Sequence, residues 1–265
     1  MKIHLHTIAL EPARWTPRRV SRPLADLLPE IAGAGVATLE IFEPHLSLAP
    51  DEAALPALLA RWGLEPVILS SYLPLSPVSA DGARFARLAD ELEARVRRFG
   101  FQAVRLFAGE KVRPDDEPAI ACVRGRVEAL ARRLPEVRFL METHDGSIAD
   151  SPERILALVE EEIALPNVAL LYQPVVFERE KALAQFTLQR RAIRHIHLQD
   201  RDPSGAMTRI GEGVIPWCEI LAQADPGWSA SLEFIPGGIG EGADYRTALA
   251  QAVADIAKAR TFCQT

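Results

Sequence analysis

Phe139-Leu140-Met141-Glu142-Thr143-His144-Asp145-Gly146 reads as a buried strand that turns polar just before it ends. Side chains alternate across a strand, so Leu140, Glu142 and His144 point to one face and Phe139, Met141 and Thr143 to the other. With Phe139 and Met141 packed on covering helices, Glu142 and His144 look to the opposite side of the sheet, where a buried polar group needs a partner, water or a metal. Asp145 and Gly146 supply the turn that follows. A strand that gathers ionisable groups at its carboxyl end is where parallel α/β sheets keep their chemistry.

Similar β-rich runs recur along the chain, each followed by an amphipathic segment. The pattern predicts strands over residues 2–7, 36–42, 65–71, 103–107, 138–144, 168–173, 194–199 and 229–235. It predicts helices over 23–34, 51–62, 83–99, 117–134, 152–163, 179–190, 217–224 and 245–262. Gly35, Gly63 and Gly100 fall just before strands two, three and four, where helices end on a left-handed residue. Eight βα units in about 250 residues is the size of one (β/α)8 TIM barrel. No Pro, Gly and Ser linker divides the chain, so residues 1–265 are expected to form a single domain.

The alternation test extends to the other strands, taking the more apolar face as the helix side. Ile3 and Leu5 then face out and leave His4 and His6 facing in; Leu39 and Ile41 leave Glu40; Val104 and Leu106 leave Arg105. In strand seven Ile196 and Leu198 cover the helix side, so His195 and His197 line the interior, as Glu233 does in strand eight. Strand six is ambiguous, its two faces being equally apolar, though one of them carries Gln173 inward near its end. Singly, each inward group has a structural reading, a satisfied core histidine or an ion pair such as Glu40 with Arg105. Barrel interiors are ordinarily filled with branched apolar side chains, and unpaired buried charges cost several kcal/mol each. The convergence of Glu142, His197 and Glu233 at three strand ends therefore points to a functional site.

Composition narrows the alternatives. Hydrophobic residues are 48% of the chain and no run is long enough to span a bilayer, which leads us to expect a soluble protein with no membrane partner. The chain opens on strand-like Lys-Ile-His-Leu-His without the pattern of a secretory signal, so a cytoplasmic location is expected. A formal charge of −6, with arginines interleaved among acids on helical segments, argues against nucleic acid as a partner. Cys122, Cys218 and Cys263 are far apart and match neither a disulfide framework nor a structural zinc site. The expected partner is a small-molecule substrate; homo-oligomerisation is compatible with the sequence but not specified by it.

Glu142, His197 and Glu233 offer hard oxygen and imidazole donors suited to a divalent metal ion, Mn²⁺, Mg²⁺, Co²⁺ or Zn²⁺. These residues sit within a series of stretches: Gly-Val-Ala-Thr-Leu-Glu at 35–40, Met-Glu-Thr-His at 141–144, His-Ile-His-Leu-Gln-Asp at 195–200, Gly-Glu-Gly at 211–213 followed by Pro216-Trp217, and Ser-Leu-Glu-Phe at 231–234. In this order they resemble the xylose-isomerase-like TIM-barrel superfamily of sugar isomerases and epimerases, which also includes dehydratases and endonuclease IV. The resemblance implies a metal held by a Glu on strand five, an Asp on strand six, a His on strand seven and a Glu on strand eight. Here these positions carry Glu142, Gln173, His197 and Glu233, so an amide stands where the family has a carboxylate. Pro174, Val175 and Val176 follow in place of the family's next His, and Arg201, Asp202 and Pro203 do not reproduce the further ligands of endonuclease IV.

The activity so implied is metal-assisted proton transfer beside a carbonyl of a keto sugar, polyol or keto acid, with Glu142 and Glu233 exchanging the proton through an enediolate. His6, Glu40, Arg105, His144 and His195 are expected around the substrate, and Arg201 is expected to reach a charged group on it. Gly211 and Gly213 are expected to shape a loop rather than cradle a phosphate, a lone Gly-x-Gly being a weak signal. Two alternatives stand beside this: a lyase dehydrating a cyclic polyol ketone, and a metal-free barrel that binds a metabolite without turnover.

Overall fold

The fold was obtained as a computed structural model, which describes residues 1–12, 20–113, 115–144, 146–236 and 244–263. Eight strands alternate with helices: β1 Lys2–His6, α1 Leu24–Gly33, β2 Thr38–Phe42, α2 Leu55–Arg61, β3 Glu65–Ser70, α3 Gly82–Phe99, β4 Ala103–Phe107 and α4 Glu117–Arg133. Then come β5 Arg138–Glu142, α5 Pro152–Ala157, β6 Val168–Tyr172, α6 Arg179–Gln189, β7 Ile193–Leu198, α7 Trp217–Ala222, β8 Ser229–Leu232 and α8 Tyr245–Phe262. The strand order is β1-β8-β7-β6-β5-β4-β3-β2, a closed barrel, and the fold is a (β/α)8 TIM barrel as the repeat of βα units predicts.

The predicted strands are present, several of them shorter at their ends. β5 stops at Glu142, so His144 lies on the turn after it instead of sharing the strand's buried face, and β8 stops at Leu232, just before Glu233. Asp145, read as part of that turn, lies outside the described residues, while Gly146 has the predicted turn conformation with φ +71°. The helix over 152–163 is regular only to Ala157 and continues as a π-turn over Leu158–Ile163. Three short elements escaped the periodicity: a 3₁₀ turn at Thr7–Leu10, one helical turn at Pro44–Ser47, and a ribbon pairing Asp200–Arg201 with Met207–Thr208. Elements this short contain too few residues to show a period.

The chain divides into two compact units. The first comprises Met1–Val67, Val176–Leu183 and Ile196–Thr265. In it β1 pairs in parallel with β2 and β8, setting His6 beside Glu40 and His4 beside Ser231. α8 covers this part of the sheet with Ala248, Leu249, Ala252, Ile256 and Ala259, whose spacing of three and four residues makes one buried stripe. The many alanines allow helix and strands to approach closely.

The second unit comprises Ile68–Val175 and Ala184–His195. Within it β4 and β5 pair in parallel from Ala103 with Arg138 to Phe107 with Glu142, and β6 joins β5 with Glu142 beside Leu171. α3 starts where Asp81 accepts a hydrogen bond from the Arg84 N–H, buries Ala89, Leu92, Val96 and Phe99, and ends on Gly100 at φ +70°. In front of α3, the Arg126 side chain on α4 donates to the carbonyls of Leu75 and Ala80 at 3.0 and 2.8 Å and lies over the Phe85 ring. Asn167, entering β6, directs its side-chain amide at the carbonyls of Ala131, Leu134 and Val137 at 2.9–3.2 Å. It therefore closes the carbonyl-rich end of α4 and the turn into β5. Replacing Asn167 by Ala should destabilise the fold by roughly 1–3 kcal/mol, read as a lower urea midpoint; an unchanged midpoint would deny the carbonyl cluster this role.

Candidate active site

Four side chains meet in the first unit. His6 comes from β1, Glu40 from β2, His197 from β7 and Glu233 from the residue after β8, and all four are at most 4% exposed. The Glu233 N–H continues the ladder by donating to the Leu198 carbonyl. Glu40 places its two carboxylate oxygens 3.0 and 3.2 Å from His197 Nε2, and one of them 3.5 Å from His6 Nε2. On the other side of the ring, His197 Nδ1 lies 3.4 Å from a Glu233 oxygen. The imidazoles of His6 and His197 stack with centroids 5.5 Å apart.

The electrostatics follow from this sandwich. Burial is the largest single influence on His197 and would drive its pKa down, but the carboxylates of Glu40 and Glu233 together outweigh it and hold the imidazole well above its ordinary range. Gln199 donates to the second Glu233 oxygen at 3.3 Å, and its carbonyl accepts from the Trp217 indole at 3.0 Å. His4 contacts Thr38 Oγ1 through Nδ1 at 2.7 Å. Glu40, offered as a structural partner of Arg105 or a substrate contact, forms ion pairs with His197 and His6.

The loop after β7 is shaped from within. Asp200 accepts hydrogen bonds from the N–H groups of Arg201, Gly211, Gly213 and Ile215 at 2.9–3.2 Å. The amides of Gly211 and Gly213 are thus engaged by this carboxylate, in line with the loop-shaping reading. Gly213 also has no room for a side chain, because a Cβ there would collide with the Asp200 carboxylate and the Arg201 carbonyl. Farther along, Arg209 pairs with the buried Asp255 of α8 at 2.7 Å.

A second constellation lies within the other unit. Arg105 on β4 is 1% exposed, its Nε 3.1 Å from a Glu142 oxygen, with NH1 donating to the Ser71 carbonyl and NH2 to the Ser70 hydroxyl. Its guanidinium lies over the rings of Phe107 at 4.1 Å and Tyr72 at 5.0 Å. The exposed His144 ring meets Phe107 edge-on at 4.5 Å. Burial raises the pKa of Glu110, whose backbone bridges to Ser147, against the weaker pull of its own backbone amide, His144 and Arg105. Gln173 is half-buried, its carbonyl accepting from Gln185, and Gln185 in turn accepts from the Val175 N–H. His195 is fully buried on β7.

Sequence reasoning missed Gln199, Tyr72, Phe107, Glu110 and Gln185. Gln199 was within reach, since the two-residue alternation through His195 and His197 leads to it. Tyr72 lies past the end of β3 and Phe107 meets it from β4, so no single-strand pattern reveals the pair.

Among the described residues, the potential metal ligands are Glu40, His197 and Glu233 in the first unit and Glu142 and His195 in the second. The donor set suits a hard divalent ion, having carboxylate and imidazole groups and no thiolate. One detail of the first unit fits well: Glu40 engages Nε2 of His197, the outer partner that a metal-bound histidine usually keeps, and Nδ1 faces Glu233. Two donors bound to one ion at about 2.0–2.2 Å and near right angles stand about 3 Å apart, close to the observed 3.4 Å between Nδ1 and the Glu233 oxygen.

The model of the xylose isomerase-like TIM barrel family matches residues 28–255, and the chain belongs to that family. No curated protein matches it by sequence. Among solved structures, it resembles the probable 3-DHS dehydratase AsbF involved in petrobactin synthesis from Bacillus anthracis, with 21% identity, a TM-score of 0.74, and 97% of this chain and 99% of that one covered. It also resembles the IOLI protein with a bound zinc atom, at 14% identity and a TM-score of 0.70, covering 100% and 98% of the two chains. A D-allulose 3-epimerase from Methylomonas sp. matches at 15% identity and a TM-score of 0.69, with 98% of each chain covered. At these identities the likeness establishes the fold. No helix among the described residues is long and apolar enough to cross a membrane.

The Asp200 clamp yields a test that needs no substrate. Asp200→Ala leaves four backbone donors without their acceptor, and Gly213→Ala forces the loop off the carboxylate. Either change should raise the rate of limited proteolysis within residues 202–216 by about tenfold or more, with the far-ultraviolet spectrum unchanged; a wild-type cleavage rate would show that Asp200 does not order the loop.

Proposed function

We propose that the chain is a metal-dependent isomerase or epimerase acting on a keto sugar, a related polyol or a keto acid by proton transfer beside a carbonyl. The observation that carries this reading is the buried imidazole of His197, engaged by Glu40 through one nitrogen and facing Glu233 with the other. Glu142, Gln173, His197 and Glu233 would hold the ion. When bound, it would polarise neighbouring substrate oxygens and favour an enediolate.

The remaining roles belong to the side chains. Glu142 and Glu233 serve as base and acid, one taking the proton from carbon and the other returning it. Arg105 orients Glu142 through the 3.1 Å contact, while Tyr72 and Phe107 hold the guanidinium in place. Glu40 orients His197 and has no direct part in the chemistry, and His6 completes the support of Glu40. His144, exposed past the end of β5, and His195 are assigned to substrate hydroxyls. The AsbF likeness favours a second reading, dehydration of a cyclic polyol ketone, which begins with the same proton abstraction and differs in its product.

Two measurements test the proposal. Glu233→Gln should lower kcat by about a hundredfold or more on a substrate the wild type turns over, chosen from ketoses, keto acids and inososes; full activity would sink the proton-transfer role. Glu40→Ala should weaken Mn²⁺ binding by roughly 10–100-fold in a calorimetric titration. Wild-type protein that takes up no titratable divalent ion would instead favour a barrel that binds a metabolite without turnover.

A further inference from the structure

Arg201 stands just beyond β7 in the first unit, on the segment that Asp200 clamps. Its guanidinium lies over the Phe177 ring, 4.7 Å from the centroid. NH1 donates to the Gly205 carbonyl at 2.9 Å, which uses one side of the planar fork. Nε is buried and has no acceptor among the described residues. The group is half-buried, and burial depresses its pKa, with the Glu233 carboxylate as the charge that acts against this. The side chain thus carries a positive charge partly withdrawn from water, lying over an aromatic ring, with the Nε edge of the fork unused.

We propose that Arg201 and Phe177 form a carboxylate subsite, so that the substrate is an anionic sugar acid and not a neutral ketose. The inference rests on the functional reading above, in which Glu233 is a metal ligand. Once Glu233 is committed to a dication, Arg201 loses the carboxylate that offsets its charge, and a substrate carboxylate restores the balance. The free edge matches that group, because Nε–H and one terminal N–H of a guanidinium present two parallel donors at the spacing of the two carboxylate oxygens. The backbone of Arg201 is set in advance: its N–H is bonded to Asp200 and its carbonyl accepts from Val214. Phe177 limits rotation of the guanidinium, so little freedom is lost when the anion docks. A phosphate dianion suits the site less well, since Arg201 supplies a single positive charge and one two-donor edge.

The test compares a matched pair, D-fructuronate and D-fructose, by titration calorimetry with and without Mn²⁺, adding fructose 6-phosphate as the phosphate arm. Wild type should bind fructuronate about 10–100-fold more tightly than fructose when loaded with Mn²⁺, and Arg201→Gln should bring that ratio to about one. Arg201→Lys, which keeps the charge but not the fork, should retain only part of the preference, and Phe177→Leu should reduce it several-fold. Equal wild-type affinities, a preference that survives Arg201→Gln, or tighter binding of the phosphorylated sugar would overturn the proposal. The parent reading fails separately: if sugar binding does not depend on Mn²⁺, the metal assignment falls while the carboxylate preference still stands or falls on Arg201. Absence of binding by every sugar overturns both.

Discussion

The first unit depends on a single buried imidazole placed between two carboxylates. Burying a histidine next to Glu40 and Glu233 is costly for each group alone, and the contacts at 3.0–3.4 Å make the arrangement tolerable only when the three are together. Each comes from a different strand, so the contacts hold only when β2, β7 and the chain beyond β8 are in register. A slip of one residue in β7 would turn His197 toward the helices and bring Leu198 in its place. The chemistry of the site and the register of the sheet are thus fixed by the same contacts.

Much of this was legible in the sequence, because a strand advertises its two faces through a period of two. His6, Glu40, Arg105, His197 and Glu233 were all picked out by that rule, and all are buried. Pairing was not legible. Arg105 suits Glu40 as well as Glu142 by chemistry alone, and only the folded structure gives its partner as Glu142, at 3.1 Å. His144 shows the limit of the rule itself, since the alternation runs on past the point where β5 ends and cannot say where pairing stops.

The Asp200 clamp illustrates another kind of hidden information. Gly211, Gly213 and Ile215 contribute only backbone N–H groups, which every non-proline residue possesses. Nothing in the side-chain pattern announces that a carboxylate more than ten residues upstream will gather them. The glycines signal a tight path but not what fills it. Charge arrangements with one partner on the backbone remain invisible to any reading based on residue type.

The anchoring of the segment after β3 bears on how such a barrel diverges. Arg126 holds it through the carbonyls of Leu75 and Ala80, from a helix later in the chain. A grip on main-chain atoms is indifferent to the side chains between those two points. Substitutions among residues 77–79, where Val78 is 68% exposed, leave the fastening intact while changing what the segment presents. The barrel therefore has a stretch whose surface can drift toward new ligands with its mooring unaltered.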